Sequence, residues 1–175
     1  DPHHDAEHGK LRIVERAAAR GAFSAVVTFD PHPLELLQPG RAPLRISTEP
    51  QRLRMLAESG LDELWVVPFT LDFSRLSAAT FVESILVAGL GAQEVHVGSR
   101  FAFGHGREGN LARLEELGRE LGFEAVGNPE LLHDGEPVSS TRIRAAVTAG
   151  EVELAQALLG RPFSLVGRVV PGDRV

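Results

Sequence analysis

The 175-residue chain contains no cysteine, which excludes disulfides, thiolate metal sites and cysteine nucleophiles. It has no apolar run near the roughly 20 residues that a membrane-spanning helix requires. No signal-peptide layout appears at its start. Basic residues are outnumbered, 18 Lys and Arg against 24 Asp and Glu, for a formal net charge of −6. Non-specific nucleic-acid binding depends on cations that neutralise phosphates, so this charge balance argues against it. Any phosphate chemistry must therefore use a local site. What remains is an ordinary globular composition, 43% hydrophobic and 24% charged, long enough to bury a core and short enough to favour one domain. A soluble, cytoplasmic protein is the expectation.

The middle of the chain alternates short apolar runs with longer amphipathic ones. Ala25–Phe29, Leu64–Phe69, Glu94–Gly98 and Phe123–Val126 read as strands. Spacings near i, i+3, i+4 predict helices over Leu11–Arg20, Gln51–Ser59, Thr80–Leu90 and Leu111–Leu121. Gly21, Gly60, Gly91 and Gly122 follow these four helices, where C′ glycines belong. Two shorter helices, Thr141–Ala149 and Val152–Leu159, meet at Gly150. The tail carries a strand-like piece, Leu165–Val170, outside the sheet. Strand, helix and strand in succession predict parallel βαβ units, hence an α/β fold with a doubly wound parallel sheet. Such sheets ordinarily open with an apolar strand whose following loop holds phosphates. Here the first residues, Asp1-Pro2-His3-His4-Asp5-Ala6-Glu7-His8, have no apolar run before them.

Four stretches can carry chemistry. Ser139-Ser140-Thr141 precedes a helical run and supplies an N-cap; a capping box would want Glu or Gln at Ile143 or Arg144, three residues after Ser140 or Thr141, and two arginines, Arg142 and Arg144, are instead expected in the first turn. Cations at a helix N-terminus cost about 0.3–1 kcal/mol each, and a bound anion would reverse that sign. Amides, hydroxyls and guanidinium groups together suit a polyphosphate; the bland alternative is a simple cap. Phe29-Asp30-Pro31-His32-Pro33 lies at the C-terminal end of a predicted parallel strand, where open α/β sheets bind ligands. It reads equally as a stiff strand exit closed by an Asx-turn. Gly98 through Gly109 follows another strand end and presents Phe101 and Phe103 on one side, either to a flat ring or to the core. Gly104, Gly106 and Gly109 match G-x-G-x-x-G, but five residues separate the strand from Gly104, where a dinucleotide fingerprint wants a tight turn. His3, His4 and His8 could donate to phosphate or, at i, i+4 on a helix, hold a metal; a histidine-rich terminus is also commonly without a fixed structure.

Taken together, these stretches resemble the N-terminal adenylyltransferase module of the bacterial bifunctional riboflavin kinase/FMN adenylyltransferases, the FAD synthetases. The residues that carry the resemblance are Val26–Pro33, Val97-Gly98 with Phe101–Gly104, Ser139–Arg144 and Leu159–Phe163, in the family's order. The resemblance implies a Rossmann-like, nucleotidylyltransferase-type sheet and transfer of AMP from ATP to FMN, giving FAD and pyrophosphate with Mg2+. It implies an adenylyltransferase domain over residues 1–160, and over 161–175 the entry into a riboflavin kinase barrel that is not in this chain; by itself the chain would then not phosphorylate riboflavin. It assigns Gly98, Ser139, Ser140, Thr141 and Arg144 to the nucleotide, and Phe29, Asp30, Pro31, His32, Phe101 and Phe103 to the flavin. His4 and His8, with Arg144, are its catalytic candidates. The family's opening motif, Phe-Asp-Gly-x-His-x-Gly-His, is only partly matched: Asp1 and His4 fall on its aspartate and first histidine, Glu7 on the second, and His8 one place beyond. Arg100 stands where the family usually has Asn or Asp, and no role carries over to it. Readings that keep the site and change the outcome are a nucleotidylyltransferase with another acceptor, or a module that binds nucleotide or flavin without turnover.

Overall fold

A computed structural model of the chain describes residues 13–168. His4 and His8, and the last part of the strand-like tail, lie outside the described residues. The chain divides into two compact units, one made of residues 25–43 and 63–130, the other of the remaining described residues.

The first unit is α/β with parallel strand pairs. Strand β1 (Ala25–Asp30) pairs in parallel with β2 (Glu63–Pro68), Ala25 opposite Glu63 and Asp30 opposite Pro68. Strand β3 (Glu94–Gly98) pairs in parallel with β4 (Glu124–Asn128), Glu94 opposite Glu124 and Gly98 opposite Asn128. Parallel neighbours require a crossover. Helix α5 (Leu111–Leu121) supplies the one between β3 and β4. The Asn110 side chain accepts from the Arg113 amide at its start, and Gly122 closes it in the left-handed conformation. Its apolar residues recur at helical spacing, so Leu114 and Leu117 turn inward and are each only 1% exposed. They join Ala78, Phe81, Val82, Leu86, Phe103 and Phe123 in one buried cluster. Val27 and Phe29 from β1, Val95 and Val97 from β3, and Ala125 from β4 pack against it. Burying one such leucine contributes about 1.5–3 kcal/mol.

Helix α2 (Pro33–Leu37) is a short element that the periodicity does not reveal. The predicted helix over Thr80–Leu90 is a short α-helix, α4 (Ala78–Phe81), that widens without a break into a π-helical stretch, Val82–Gly89. The Ser84 hydroxyl donates to the Thr80 carbonyl, which an α-helix would reserve for the Ser84 amide. At the far end the Leu90 amide donates to Ile85, five residues back.

The second unit holds helix α1 over residues 13–19 and α3 (Glu49–Ala57), which opens with a capping box between Thr48 and Gln51. It also holds a hairpin, β5 (Leu132–His133) and β6 (Glu136–Pro137), and the helices α6 (Ser140–Ala149) and α7 (Val152–Leu159). Ile143 and Ala146 of α6 and Ala155 and Leu158 of α7 are buried. The predicted C′ glycines Gly21, Gly60, Gly91 and Gly122, and Gly150 between α6 and α7, all have positive φ. Leu165 and Val166 are not in a strand; they are exposed and without regular structure. No helix among the described residues is long and apolar enough to cross a membrane.

Candidate functional site

In the first unit, two loops leave the C-terminal ends of β1 and β3. The β1 exit is set by packing. The Phe29 ring lies 5.7 Å from the rings of both Phe69 and Phe73 and 6.3 Å from Phe81. The Phe29 side chain therefore belongs to an aromatic cluster of the core. Asp30 accepts from the Phe69 amide through its carbonyl, extending the register to the next pair. The Asp30–Pro31 bond is cis. His32 Nδ1 accepts from the Leu34 amide at 3.2 Å and caps α2, whose first turn begins at Pro33.

The β3 exit begins at Gly98, where an added Cβ would meet nothing within 4 Å. The Ser99 amide donates to Asn128 and the Phe101 amide to Gly98. Phe101 stacks on Phe103, ring centres 5.3 Å apart and planes 17° apart. The two rings differ in environment: Phe103 is buried at 7% exposure and touches Phe81, whereas Phe101 is half-buried. Arg100 is ion-paired with Glu130, whose hydrogen bond and charge hold the guanidinium pKa above its usual range. Two glycines of the G-x-G-x-x-G match, Gly104 and Gly109, have packing roles, whereas Gly106 has φ of 61° and open space beside it. Gly104 has φ of 75°, and a Cβ there would come within 2.6 Å of the Ala78 nitrogen. A Cβ on Gly109 would come within 2.8 Å of the Phe103 ring. The match arises from loop packing: Gly104 opens only a short 3-10 turn, His105–Arg107, and α5 begins at Leu111, after the third glycine rather than inside the motif as a dinucleotide fingerprint needs.

In the second unit, the start of α6 carries the hydroxyl residues. The N-cap is Ser139, whose Oγ accepts from the Arg142 amide at 3.2 Å. Ser140 and Thr141 occupy the first two helical positions and are exposed. The first amides of a helix have no intrahelical acceptor and face outward along the axis with the positive end of the dipole. This cap position corrects the expectation that both arginines lie in the first turn. Arg142 is there, but Arg144 falls in the second turn.

The two arginines also differ in what they hold. Arg142 donates through one terminal nitrogen to the carbonyls of His133 and Glu136, both at 3.0 Å. These oxygens flank the Asp134-Gly135 turn, where both residues have positive φ. Arg142 thus ties the hairpin to α6, and the carbonyls offset the charge that the helix dipole disfavours. Arg144 donates through Nε to the Leu44 carbonyl at 2.6 Å, leaving its two terminal NH2 groups as donors in the guanidinium plane. The hairpin was open to sequence reasoning through Asp-Gly, a strong short-range turn signal. The pairing of Ser24 with Asp62, which precede β1 and β2, had no such signal.

Among the described residues there is no group of three or more His, Asp or Glu side chains arranged to hold a metal ion. Magnesium does not need such a cage where substrate phosphates supply most of its oxygen ligands.

Comparison with known proteins bears on these loops. The FAD synthetase family profile matches residues 10–142. The chain is 39% identical over 163 residues to the bifunctional riboflavin kinase/FMN adenylyltransferase of Escherichia coli K12, covering 93% of this chain and 52% of that protein. It is 42% identical over 166 residues to the protein of the same name from Pseudomonas fluorescens, covering 94% and 52%. The counterpart from Listeria monocytogenes is 37% identical over 161 residues, covering 90% and 50%. The chain thus spans about half the length of these relatives. Among solved structures, one titled a macrolide-efflux protein from Streptococcus pneumoniae superposes with a TM-score of 0.77 at 26% identity, over 90% of this chain and 60% of that one. With the profile running from before β1 into the first turn of α6, the chain belongs to the FAD synthetase family.

Proposed function

We propose that this chain is an FMN adenylyltransferase, transferring AMP from ATP to FMN to give FAD and pyrophosphate. The observation that carries this reading is the start of α6. Exposed Ser140 and Thr141 sit beside the helix amides, and the Arg144 guanidinium has donors remaining. The names of its relatives, bifunctional riboflavin kinase/FMN adenylyltransferase, supply the acceptor.

In the proposed reaction an FMN phosphate oxygen attacks the α-phosphorus of ATP. The bond from that phosphorus to the bridging oxygen breaks, and pyrophosphate leaves with the electron pair. Such a transfer needs positioning and charge stabilisation rather than a covalent intermediate. Helix amides, Ser139, Ser140 and Thr141 hydroxyls and Arg144 hold the phosphates. Magnesium bound with ATP would supply charge neutralisation at the leaving phosphates, beside the groups of Ser140, Thr141 and Arg144. His4, with His8 near it in sequence, is assigned as donor to the α-phosphate. Gly98 keeps the end of β3 bare for close backbone approach. The β1 exit, Asp30-Pro31-His32 carried on the core-packed Phe29, and the Phe101 ring backed by Phe103 serve the flavin. A linked riboflavin kinase half and a cytoplasmic setting complete the proposal.

Incubating the chain with ATP, magnesium and FMN and separating the products by chromatography tests it. FAD and pyrophosphate in equal amounts are expected. Unconverted FMN alongside intact ATP would overturn it.

A further inference from the structure

The loop that carries Phe101 and Phe103 is fastened to a distant segment by groups that lie outside the proposed substrate contacts. Glu108 Oε1 accepts from the Ala78 amide at 2.7 Å, across 30 residues of sequence. Ala78 is the first residue of α4, and its amide is one that the helix leaves without an internal acceptor. Ser77 caps the same helix from within, accepting from Thr80 at 3.1 Å. Glu108 thus caps α4 from the opposite loop, with its negative charge at the positive end of the helix. The His105 amide donates to the Leu76 carbonyl at 2.8 Å, and His105 Nδ1 lies 3.2 Å from the Ser74 carbonyl. The Gly104 backbone rests on Ala78, at a distance no side chain would permit. Phe103 and Gly109 exchange backbone hydrogen bonds of 3.0 and 2.8 Å, closing the loop into a ring. The residues between them, 104–108, contain every attachment to the 74–78 segment named above.

We infer that Glu108 is a positioning residue for the aromatic platform: it fixes Phe103, and through the stacked pair Phe101, at the height and tilt that a flavin ring requires. The inference rests on the proposed flavin role of Phe101 and Phe103. The mechanism is mechanical. Phe103 is anchored on one side by the core through Phe81 and on the other by the 103–109 ring. The attachment of that ring to α4 through Glu108, together with the His105 contacts to Leu76 and Ser74, sets its orientation about the strand exit. Losing the Glu108 carboxylate leaves the Ala78 amide without its acceptor and lets the loop turn on the remaining His105 contacts.

The test compares Glu108→Ala with Glu108→Gln in the whole chain. Gln keeps an oxygen that can accept from Ala78, so it separates the hydrogen bond from the charge. In steady-state FAD synthesis, Glu108→Ala is expected to raise KM for FMN by about tenfold. The same variant should leave KM for ATP within about twofold, and Glu108→Gln should restore most of the loss. A titration of FMN fluorescence quenching should show the same order of affinities. Equal KM values for FMN in wild type and Glu108→Ala, or a parallel rise for both substrates, would overturn the inference. Should Glu108→Ala not fold, Glu108→Asp, whose carboxylate is one methylene short of Ala78, carries the same comparison. A wild-type chain that makes no FAD counts against the proposed function alone. The quenching titration then decides the inference, with weaker FMN binding by Glu108→Ala supporting it and equal binding refuting it.

Discussion

Ser24 and Asp62 bond to each other from both backbone and side chain. The Ser24 amide and hydroxyl both donate to Asp62 Oδ2, at 2.8 and 2.6 Å. The Asp62 amide is close to both the Ser24 hydroxyl and the Ser24 carbonyl, at 3.1 and 3.0 Å. Because Ser24 precedes β1 and Asp62 precedes β2, the pair sets the first rung of the parallel register. The Ser24 hydroxyl, then its amide, hold the Asp62 carboxyl below its ordinary value of 3.8. A carboxyl whose pKa is depressed on folding adds stability above its unfolded value and loses it as pH falls through the folded value. Urea midpoints of the wild type should therefore drop as pH falls below 3.8 and on through the lower folded value. Asp62→Asn should flatten that part of the profile, and Ser24→Ala should lower the midpoint at neutral pH. Parallel pH profiles for wild type and Asp62→Asn would remove the carboxylate from this role.

Gly118 lies in the middle of α5, where propensity alone says that alanine would stabilise by about 1 kcal/mol. The packing says the opposite. A Cβ at Gly118 would stand 2.6 Å from the Phe123 carbonyl oxygen, which is backbone and cannot swing aside. Gly118→Ala is expected to destabilise by about 1–3 kcal/mol, the cost of overpacking. Equilibrium urea unfolding reads it directly, and a gain in stability would show that β4 can move away from α5 freely. Leu114→Ala, at a site 1% exposed, provides the scale, with an expected loss of about 2–5 kcal/mol.

The regular elements were legible because each carries its own period and its own stops. Leu111–Leu121 has a leucine stripe, Asn110 before it and Gly122 after it, and both ends agree with the structure. Helix α2 was hidden because five residues are too few to show a period, and two prolines around His32 read as a rigid loop. The widening at Val82–Gly89, where the Ser84 hydroxyl bonds back to Thr80, was hidden because one extra residue per turn over so short a span is not visible in the apolar spacing. Candidate site residues were legible as types but not by what they hold. Arg142 and Arg144 look alike in sequence, and Glu108 reads as one more charged loop residue until Ala78 is seen beside it.

Phe101 and Phe103 separate in the same manner. Phe103 is part of the buried cluster and Phe101 only leans on it. Phe103→Ala should cost about 3–5 kcal/mol of stability, as for a buried aromatic ring. Phe101→Ala should cost far less in stability, because the ring it exposes is still held by Phe81. Its expected effect is on FMN affinity, read by fluorescence quenching. Equal losses of stability in the two variants would place Phe101 in the core and take it out of the flavin reading.

Arg144 and Arg142 give the sharpest contrast, because they stand two residues apart and hold different things. Arg142 braces the Asp134-Gly135 hairpin with two bonds to backbone carbonyls. Arg142→Ala should therefore lower stability, by about 1–2 kcal/mol given that the group is partly solvated. Arg144 has one bond to Leu44 and retains donors for phosphate. Arg144→Ala should leave the urea midpoint near that of the wild type. In the proposed adenylyl transfer it should raise KM for ATP or lower turnover by about tenfold or more, equivalent to about 1.4 kcal/mol of transition-state stabilisation. If the two variants showed the reverse pattern, with Arg142→Ala defective in turnover at full stability, the phosphate contact would belong to the first turn of α6 and the assignment of Arg144 would fall.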